Sequence, residues 1–152
     1  MRKTKHRGHL LRKGRHSESG RPYLITAVCS DRKSVFDSLS AGRCLAVSIG
    51  ELEPHAKTWC FVAMPDHFHW LMEPVADQTI SACVQRLKSL TTRRLRQSKV
   101  WCDAVWQRGF HDHAVREPED LKSLARYVIA NPVRAGLVER IGDYPHWDAA
   151  WL

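Results

Sequence analysis

The sequence predicts an α+β domain built on an antiparallel β-sheet, and two observations predict it. Short β-branched or apolar segments alternate with amphipathic helical segments in the order β-α-β-β-α-β-α, which is the split βαβ pattern followed by one extra helix. The chain of 152 residues is 43% hydrophobic and 26% charged, which are ordinary values for one domain with its own core. This composition excludes a disordered or a fibrous protein.

The first half of the chain predicts three strands and one helix. Residues 23–29 (YLITAVC) are β-branched and apolar, which is typical of a strand. Residues 38–52 have the apolar spacing of a helix that Pro54 ends. Residues 58–64 and 67–73 predict two strands, which the turn dipeptide Pro65-Asp66 joins as a hairpin.

The second half predicts two helices with a strand between them. Residues 78–98 are the clearest helix, with an apolar stripe on one side and several Lys and Arg side chains on the other. A strand within residues 106–115 follows. A helix then begins at the acidic segment 117–120 and ends at Asn131, where Pro132 limits it. The tail 141–152 carries three aromatic residues that could pack back on the body. This order of elements is that of a ferredoxin-like fold.

The charge is concentrated at the N-terminus. Residues 1–22 hold eight basic side chains and one acidic side chain, a net charge of +7 within a total of +8. We therefore divide the chain into a basic arm, residues 1–21, and a single domain, residues 22–152. An arm of this kind favours an anionic partner such as DNA, and a solvated tail without a specific partner is the alternative.

The cysteines and the apolar segments bear on the compartment. The five cysteines are odd in number, lie far apart and form no C-x-x-C pair, so a structural zinc knuckle is not expected. No apolar run resembles a secretory signal or a membrane span. We expect a reduced chain in the cytoplasm, associated with the nucleoid.

Two histidines form the first candidate metal-binding pair. His67 and His69 are separated by one residue on a predicted strand, so their imidazoles project from one face while Phe68 projects from the other. Neighbouring imidazoles on a rigid strand provide half of a metal site. Two polar histidines on an exposed strand face are the alternative. Two imidazoles do not identify the metal ion, since they suit manganese or zinc at least as well as magnesium.

Tyr127 is the candidate nucleophile. It lies at the edge of the apolar stripe of the last helix, about 100° from Val128, and Asn131 shares its face one turn later. A tyrosine hydroxyl needs assistance near neutral pH, and a divalent ion that polarises a phosphate provides it. A packed residue at the boundary of the core is the alternative for Tyr127.

Four segments together resemble a known family. MPDHFHWLM (residues 64–72) resembles the histidine–hydrophobe–histidine signature of the HUH single-tyrosine transposases. YVIANPVRAGLV (residues 127–138) resembles the nucleophile helix of one branch, the REP-associated tyrosine transposases. WQRGF (residues 106–110) and YPHW (residues 144–147) are also similar to that branch. Asp66 stands where many relatives have Asn.

The resemblance implies a fold, a reaction and a set of site residues. The fold is a ferredoxin-like antiparallel sheet with helices on one side, plus a C-terminal helix that carries the nucleophile. His67, His69 and Asn131 would bind Mg²⁺ or Mn²⁺. Tyr127 would attack the scissile phosphate of single-stranded or hairpin DNA, often a repetitive palindromic element, and form a 5′-phosphotyrosine link that allows strand transfer.

Other positions are assigned to DNA contact or stay open. The proposed DNA-binding residues are Arg12, Lys13, Arg15, Arg93, Arg94 and Arg134, and a solvated surface charge is the alternative for each. The second H-x-H, His111 and His113, favours a structural or DNA-contacting role over metal binding. The alternative functions are a catalytically weak hairpin-binding protein and, less favoured, a replication initiator or relaxase. The oligomeric state, monomer or homodimer, is not predicted.

Overall fold

A five-stranded antiparallel sheet in the order β4-β1-β3-β2-β5 forms the centre of the molecule. The computed structural model describes residues 20–117 and 120–150. The strands are β1 (Tyr23–Val28), β2 (Ala56–Met64), β3 (His67–Pro74), β4 (His111–Ala114) and β5 (Trp147–Ala149). The helices are α1 (Leu39–Glu51), α2 (Ile80–Gln97), α3 (Asp120–Ile129) and the short α4 (Asn131–Arg134). The predicted α+β class with an antiparallel sheet is confirmed.

The hairpin of β2 and β3 brings the two histidines to one end of the sheet. Met64 is paired with His67, so that only Pro65 and Asp66 form the turn, as the sequence predicts. On the other side of β3, β1 runs antiparallel, with Val28 opposite His67 and Thr26 opposite His69.

One face of the sheet is covered by α1 and α2. Alternate residues of β3 (Phe68, Trp70 and Met72) are fully buried there, together with Leu45 from α1 and Leu87 from α2. Each helix begins at a hydroxyl cap, because the Ser38 side chain accepts a hydrogen bond from the Ala41 amide and Thr79 accepts one from the Ala82 amide. This face contains the larger core.

The opposite face carries α3. Ala125 and Val128 of this helix are buried against Val62 and Leu71, which alternate with the residues of the larger core. The sequence predicts that this helix begins within residues 117–120, and the described part of α3 begins at Asp120; residues 118 and 119 lie outside the described residues. The helix that carries Tyr127 therefore packs on the sheet face that the histidines share.

The short strand predicted around residues 106–115 is present and occupies only part of that segment. Only His111–Ala114 form a strand, and Trp106 makes one isolated bridge to Cys29. Gly109 has a φ of 82°, in the left-handed region that interrupts a strand. The Lys88 ammonium donates hydrogen bonds to the carbonyls of Gln107 and Gly109, which holds this segment as a loop.

The tail packs back on the body and adds a fifth strand. β5 pairs with β2 and begins just after His146, whose side chain is buried and whose carbonyl accepts a hydrogen bond from the Ala63 amide. The Tyr144 hydroxyl donates to the Ala63 carbonyl. The third aromatic residue of the tail, Trp151, lies outside the described residues. The strand itself was not predicted, because three residues give too short an alternation.

The cysteines are all free, and most of them are buried. Cys29, Cys44, Cys60 and Cys83 are buried and free, and Cys102 is exposed and free. Within residues 20–117 and 120–150, no helix is both long and apolar enough to cross a membrane. The arm falls outside the described residues except for its last two positions.

Candidate active site

The two histidines of β3 lie side by side on the face that α3 occupies. Their ring centroids are 4.9 Å apart and the ring planes meet at 83°. Phe68, between them, is fully buried on the other face. The structure thus has the same-face arrangement that the strand period predicts.

A hydrogen bond occupies the Nδ1 atom of each imidazole. His67 Nδ1 lies 2.7 Å from a carboxylate oxygen of Asp66, and His69 Nδ1 lies 2.8 Å from the Thr26 hydroxyl. When Nδ1 donates in both bonds, the lone pair of each ring is on Nε2, which is the tautomer that binds a metal ion. Asp66 is itself held by Arg32, whose guanidinium donates to its second oxygen at 3.2 Å.

Electrostatics favour a neutral His69 and a charged Asp66. Burial, assisted by the charges of His67 and Arg134, lowers the pKa of His69 to about 4, so its imidazole is neutral near pH 7. Burial alone would raise the pKa of Asp66, but the hydrogen bonds and charges of His67 and Arg32 outweigh it and lower that pKa. A neutral imidazole and an ionised carboxylate are the forms that a metal ligand and its supporting residue require.

Tyr127 is on the solvent side of α3. Its side chain is 62% exposed, whereas the next residue, Val128, is 1% exposed. The predicted position at the edge of the apolar stripe is therefore what the structure shows, and the hydroxyl is accessible to a large substrate. Tyr127 is therefore not a residue packed at the boundary of the core.

Asn131 begins α4, directly after the helix that carries Tyr127. It is half-buried, and its Nδ2 donates a 2.7 Å hydrogen bond to the Val128 carbonyl. This bond occupies the amide nitrogen and leaves Oδ1, the atom that could bind a metal ion. Among residues 20–117 and 120–150, no group of three or more His, Cys, Asp and Glu side chains forms a metal site.

Arg134 contacts Tyr127 twice. Its guanidinium carbon lies 3.8 Å from the centre of the Tyr127 ring, and its Nη1 donates a 2.7 Å hydrogen bond to the Tyr127 carbonyl. The sequence indicated Arg134 as a DNA-binding cation and gave no sign of these contacts.

The second H-x-H lies on the same sheet face. His111 is opposite Thr26 and His113 is opposite Leu24, and directly paired residues of antiparallel strands point to one side. Both side chains are exposed on the edge strand β4. The described residues around them include no third ligand group.

The basic residues of α2 are differently placed. Arg93 is exposed, whereas Arg94 is half-buried and forms an ion pair with Glu51.

Arg93 and Arg96 line a cleft of about 500 Å³ beside Trp106, and nothing in the sequence indicates this cleft. Arg12, Lys13 and Arg15 lie outside the described residues. The cleft is on the face opposite to the histidines, because Trp106 packs edge-on against Phe68 with the ring centroids 5.5 Å apart.

Residues 20–131 match the sequence profile of a family described as IS200-like transposases. A Haemophilus influenzae Rd protein assigned as a REP-associated tyrosine transposase is 30% identical over 136 residues, which cover 82% of this chain and 77% of that protein. The REP-associated tyrosine transposase of Escherichia coli K12 is 28% identical over 87 residues, 56% of this chain and 49% of its own length.

Two solved structures have a similar fold. A REP-associated tyrosine transposase bound to a REP hairpin superimposes with a TM-score of 0.72 at 22% identity, over 88% of this chain and 79% of that one. A transposase structure from Deinococcus radiodurans gives a TM-score of 0.53 at 16% identity, over 76% of this chain and 94% of that one. At these identities the likeness concerns the fold.

Proposed function

The chain belongs to the IS200-like transposase family, and from that premise we propose that it cleaves and rejoins single-stranded DNA hairpins through a covalent link to Tyr127. The observation that carries the proposal is the shared sheet face: the His67–His69 pair lies on it, and the helix with an exposed Tyr127 packs on it. The relatives assigned as REP-associated transposases make a hairpin of a repetitive palindromic element the proposed substrate.

The proposed reaction exchanges one ester bond for another. The Tyr127 oxygen attacks the phosphorus of the scissile phosphodiester, and the bond from phosphorus to the 3′ oxygen breaks. The phenol proton passes to solvent, and the departing oxygen takes a proton to become a free 3′-hydroxyl. The 5′-phosphotyrosine link keeps the bond energy, so a second 3′-hydroxyl could attack it and complete strand transfer.

We propose His67, His69 and Asn131 as the residues that would hold a divalent ion, Mg²⁺ or Mn²⁺. Both imidazoles present Nε2, and Asn131 has an unoccupied amide oxygen, so the donor set fits such an ion. The ion would polarise the phosphate and stabilise charge on the leaving oxygen. Thr26 and Asp66 would hold the imidazoles in the required orientation.

The basic surfaces are proposed as contacts to the DNA backbone. Arg93 and Arg96 line the cleft beside Trp106, and an unpaired base could stack on the face of the Trp106 ring there. Since the cleft and the imidazoles lie on opposite faces of one sheet, a hairpin that contacts both must pass around the sheet. Arg12, Lys13 and Arg15 of the arm are proposed to extend this contact. Arg94 is a weaker candidate, since Glu51 already neutralises it.

The test is a covalent adduct between the protein and a labelled hairpin with single-stranded flanks, in the presence of Mn²⁺ or Mg²⁺. Tyr127→Phe should abolish the adduct and keep hairpin affinity. Tyr144→Phe is the matched control and should keep the adduct, because the Tyr144 hydroxyl donates its hydrogen bond to the Ala63 carbonyl and is not the proposed nucleophile. An undiminished adduct in Tyr127→Phe would show that the assignment is wrong. Hairpin binding by the wild type without any adduct would favour a catalytically weak hairpin-binding protein.

The metal ligands and the cleft have separate readouts. His67→Ala, His69→Ala and Asn131→Ala should lower both Mn²⁺ affinity and the rate of adduct formation. Arg93→Ala combined with Arg96→Ala should weaken hairpin binding and leave the rate at saturating DNA unchanged. Arg43→Ala, on the exposed side of α1, is the matched control for loss of surface charge and should change neither.

A further inference from the structure

Arg134 is tied to the proposed nucleophile more closely than a surface cation needs to be. Its guanidinium carbon lies over the Tyr127 ring, 3.8 Å from the ring centre, and the same group donates a hydrogen bond to the Tyr127 carbonyl seven residues earlier. Both contacts are made with Tyr127, so Arg134 restrains the backbone and the ring of Tyr127 together. Without Arg134, a side chain that is 62% exposed would have far less to fix its direction.

The element that carries Arg134 lies beside the histidine strand. α4, which ends at Arg134, packs against β2, and β2 pairs with β3, the strand of His67 and His69. The guanidinium that contacts Tyr127 is therefore held against the same sheet as the imidazole pair.

Helix capping does not account for this arrangement. The last carbonyls of α3 need donors, and a single N–H from any long basic side chain would serve the Tyr127 carbonyl. The neighbouring Val128 carbonyl is served by Asn131 in that simple way. Stacking on the ring adds a contact that a cap does not require.

We propose that Arg134 positions Tyr127 for attack and binds a non-bridging oxygen of the scissile phosphate. The inference rests on the proposed function. A guanidinium has five N–H groups in a rigid fork, and one of them serves the Tyr127 carbonyl, which leaves others for phosphate oxygens. Arg134 takes no proton in the step; its charge compensates the charge that spreads over the phosphate oxygens as one ester bond replaces the other.

The deciding variant is Arg134→Lys. Lysine keeps the charge and can still donate to the Tyr127 carbonyl, but it lacks the planar group that stacks on the ring and grips phosphate. We expect hairpin affinity and Tm close to those of the wild type, and a fall on the order of 100-fold in the single-turnover rate of adduct formation at saturating DNA. Arg126→Lys, on the exposed side of α3 next to Tyr127, is the matched control and should keep the wild-type rate.

A second measurement follows the ring itself. In protein with ¹³C-labelled tyrosine, Tyr127→Phe identifies the Tyr127 ring signal, and Arg134→Lys should shift that signal without metal or DNA. A wild-type rate in Arg134→Lys would overturn this inference alone. Absence of the adduct from the wild-type protein would overturn the proposed function and this inference with it.

Discussion

At the scale of single residues, the site depends on side chains that would not touch the substrate. Thr26 and Asp66 each occupy one Nδ1 atom, which leaves the Nε2 atom of each ring for the proposed metal ion. Such partners typically change metal affinity about 10–100-fold when they are removed. The pairing of β1 with β3 is what brings Thr26 beside His69.

Thr26→Val tests this support. Valine keeps the shape and the strand preference of threonine and removes only the hydroxyl, so His69 loses the partner of its Nδ1 atom. We expect Mn²⁺ affinity to fall about 10-fold, with little change in Tm, by calorimetric titration. Thr58→Val is the matched control: it removes a hydroxyl that binds Trp70 Nε1 and should leave metal affinity unchanged. Equal affinities for wild type and Thr26→Val would show that the Thr26 hydroxyl does not orient the ligand.

The stability of the metal-free protein should depend on His69. Its pKa is about 4 in the folded protein, where burial disfavours the charged ring, and about 6.5 in the unfolded chain. The unfolded chain therefore binds more protons between these values, and stability present above pH 6.5 is lost as the pH falls toward 4. The loss should be about 2 kcal/mol at pH 4.5. Urea unfolding at pH 7 and pH 4.5, with chelator present, should show a smaller loss in His69→Gln; an equal loss would contradict the argument.

At the scale of elements, the sequence predicts what local periodicity and turn chemistry determine. The Pro65-Asp66 hairpin and the two capped helices α1 and α2 are where their residues indicate. The segment before β4 differs, because Gly109 and the Lys88 bonds to its carbonyls make it a loop. No local pattern shows that the ammonium of a distant helix will bind there. β5 could not be predicted from local pattern either, because its three residues form a strand only through their pairing with β2.

Gly42 in α1 leaves room for the side chain of His146 in the C-terminal tail. A Cβ atom on Gly42 would lie 2.2 Å from the ring of the buried His146, whereas a Cβ atom on Gly50 in the same helix would meet nothing within 4 Å. Gly42→Ala should therefore lower Tm strongly, because the His146 side chain must leave its place. Gly50→Ala should raise stability by roughly 0.5–1 kcal/mol through helix propensity. Similar Tm values for the two variants would contradict the close packing of the tail on α1.

At the scale of the whole molecule, two opposite faces of one sheet have different tasks. The face under α1 and α2 holds the larger core, and the other face combines a smaller core with the candidate site. The period of β3 predicts that His67 and His69 share a face, and helical spacing predicts that Tyr127 leaves the core. Their supporting residues could not be predicted, because Thr26 and Arg134 reach them only through strand pairing and the turn into α4.

Charge also acts at this scale. Most of the net charge of +8 lies in residues 1–22, and we expect it to contribute counterion release when DNA binds. The triple variant Arg12→Ala, Lys13→Ala and Arg15→Ala should lower the slope of log affinity against log salt by about 2, since each lost contact to a single strand removes roughly 0.7. The rate of adduct formation at saturating DNA should be unchanged. An unaltered slope would indicate that these three side chains are solvated and contact no phosphate.

The exposure of Tyr127 has an evolutionary consequence. A side chain that is 62% exposed contributes little to the core, so a substitution that removes its hydroxyl leaves the sheet, the helices and the basic surfaces intact. A gene copy that lost the proposed nucleophile would still encode a folded protein with the same basic surfaces. On the proposed function, one substitution at Tyr127 would therefore separate hairpin binding from hairpin cleavage. A substitution that truncates the buried Val128 would instead destabilise the fold itself.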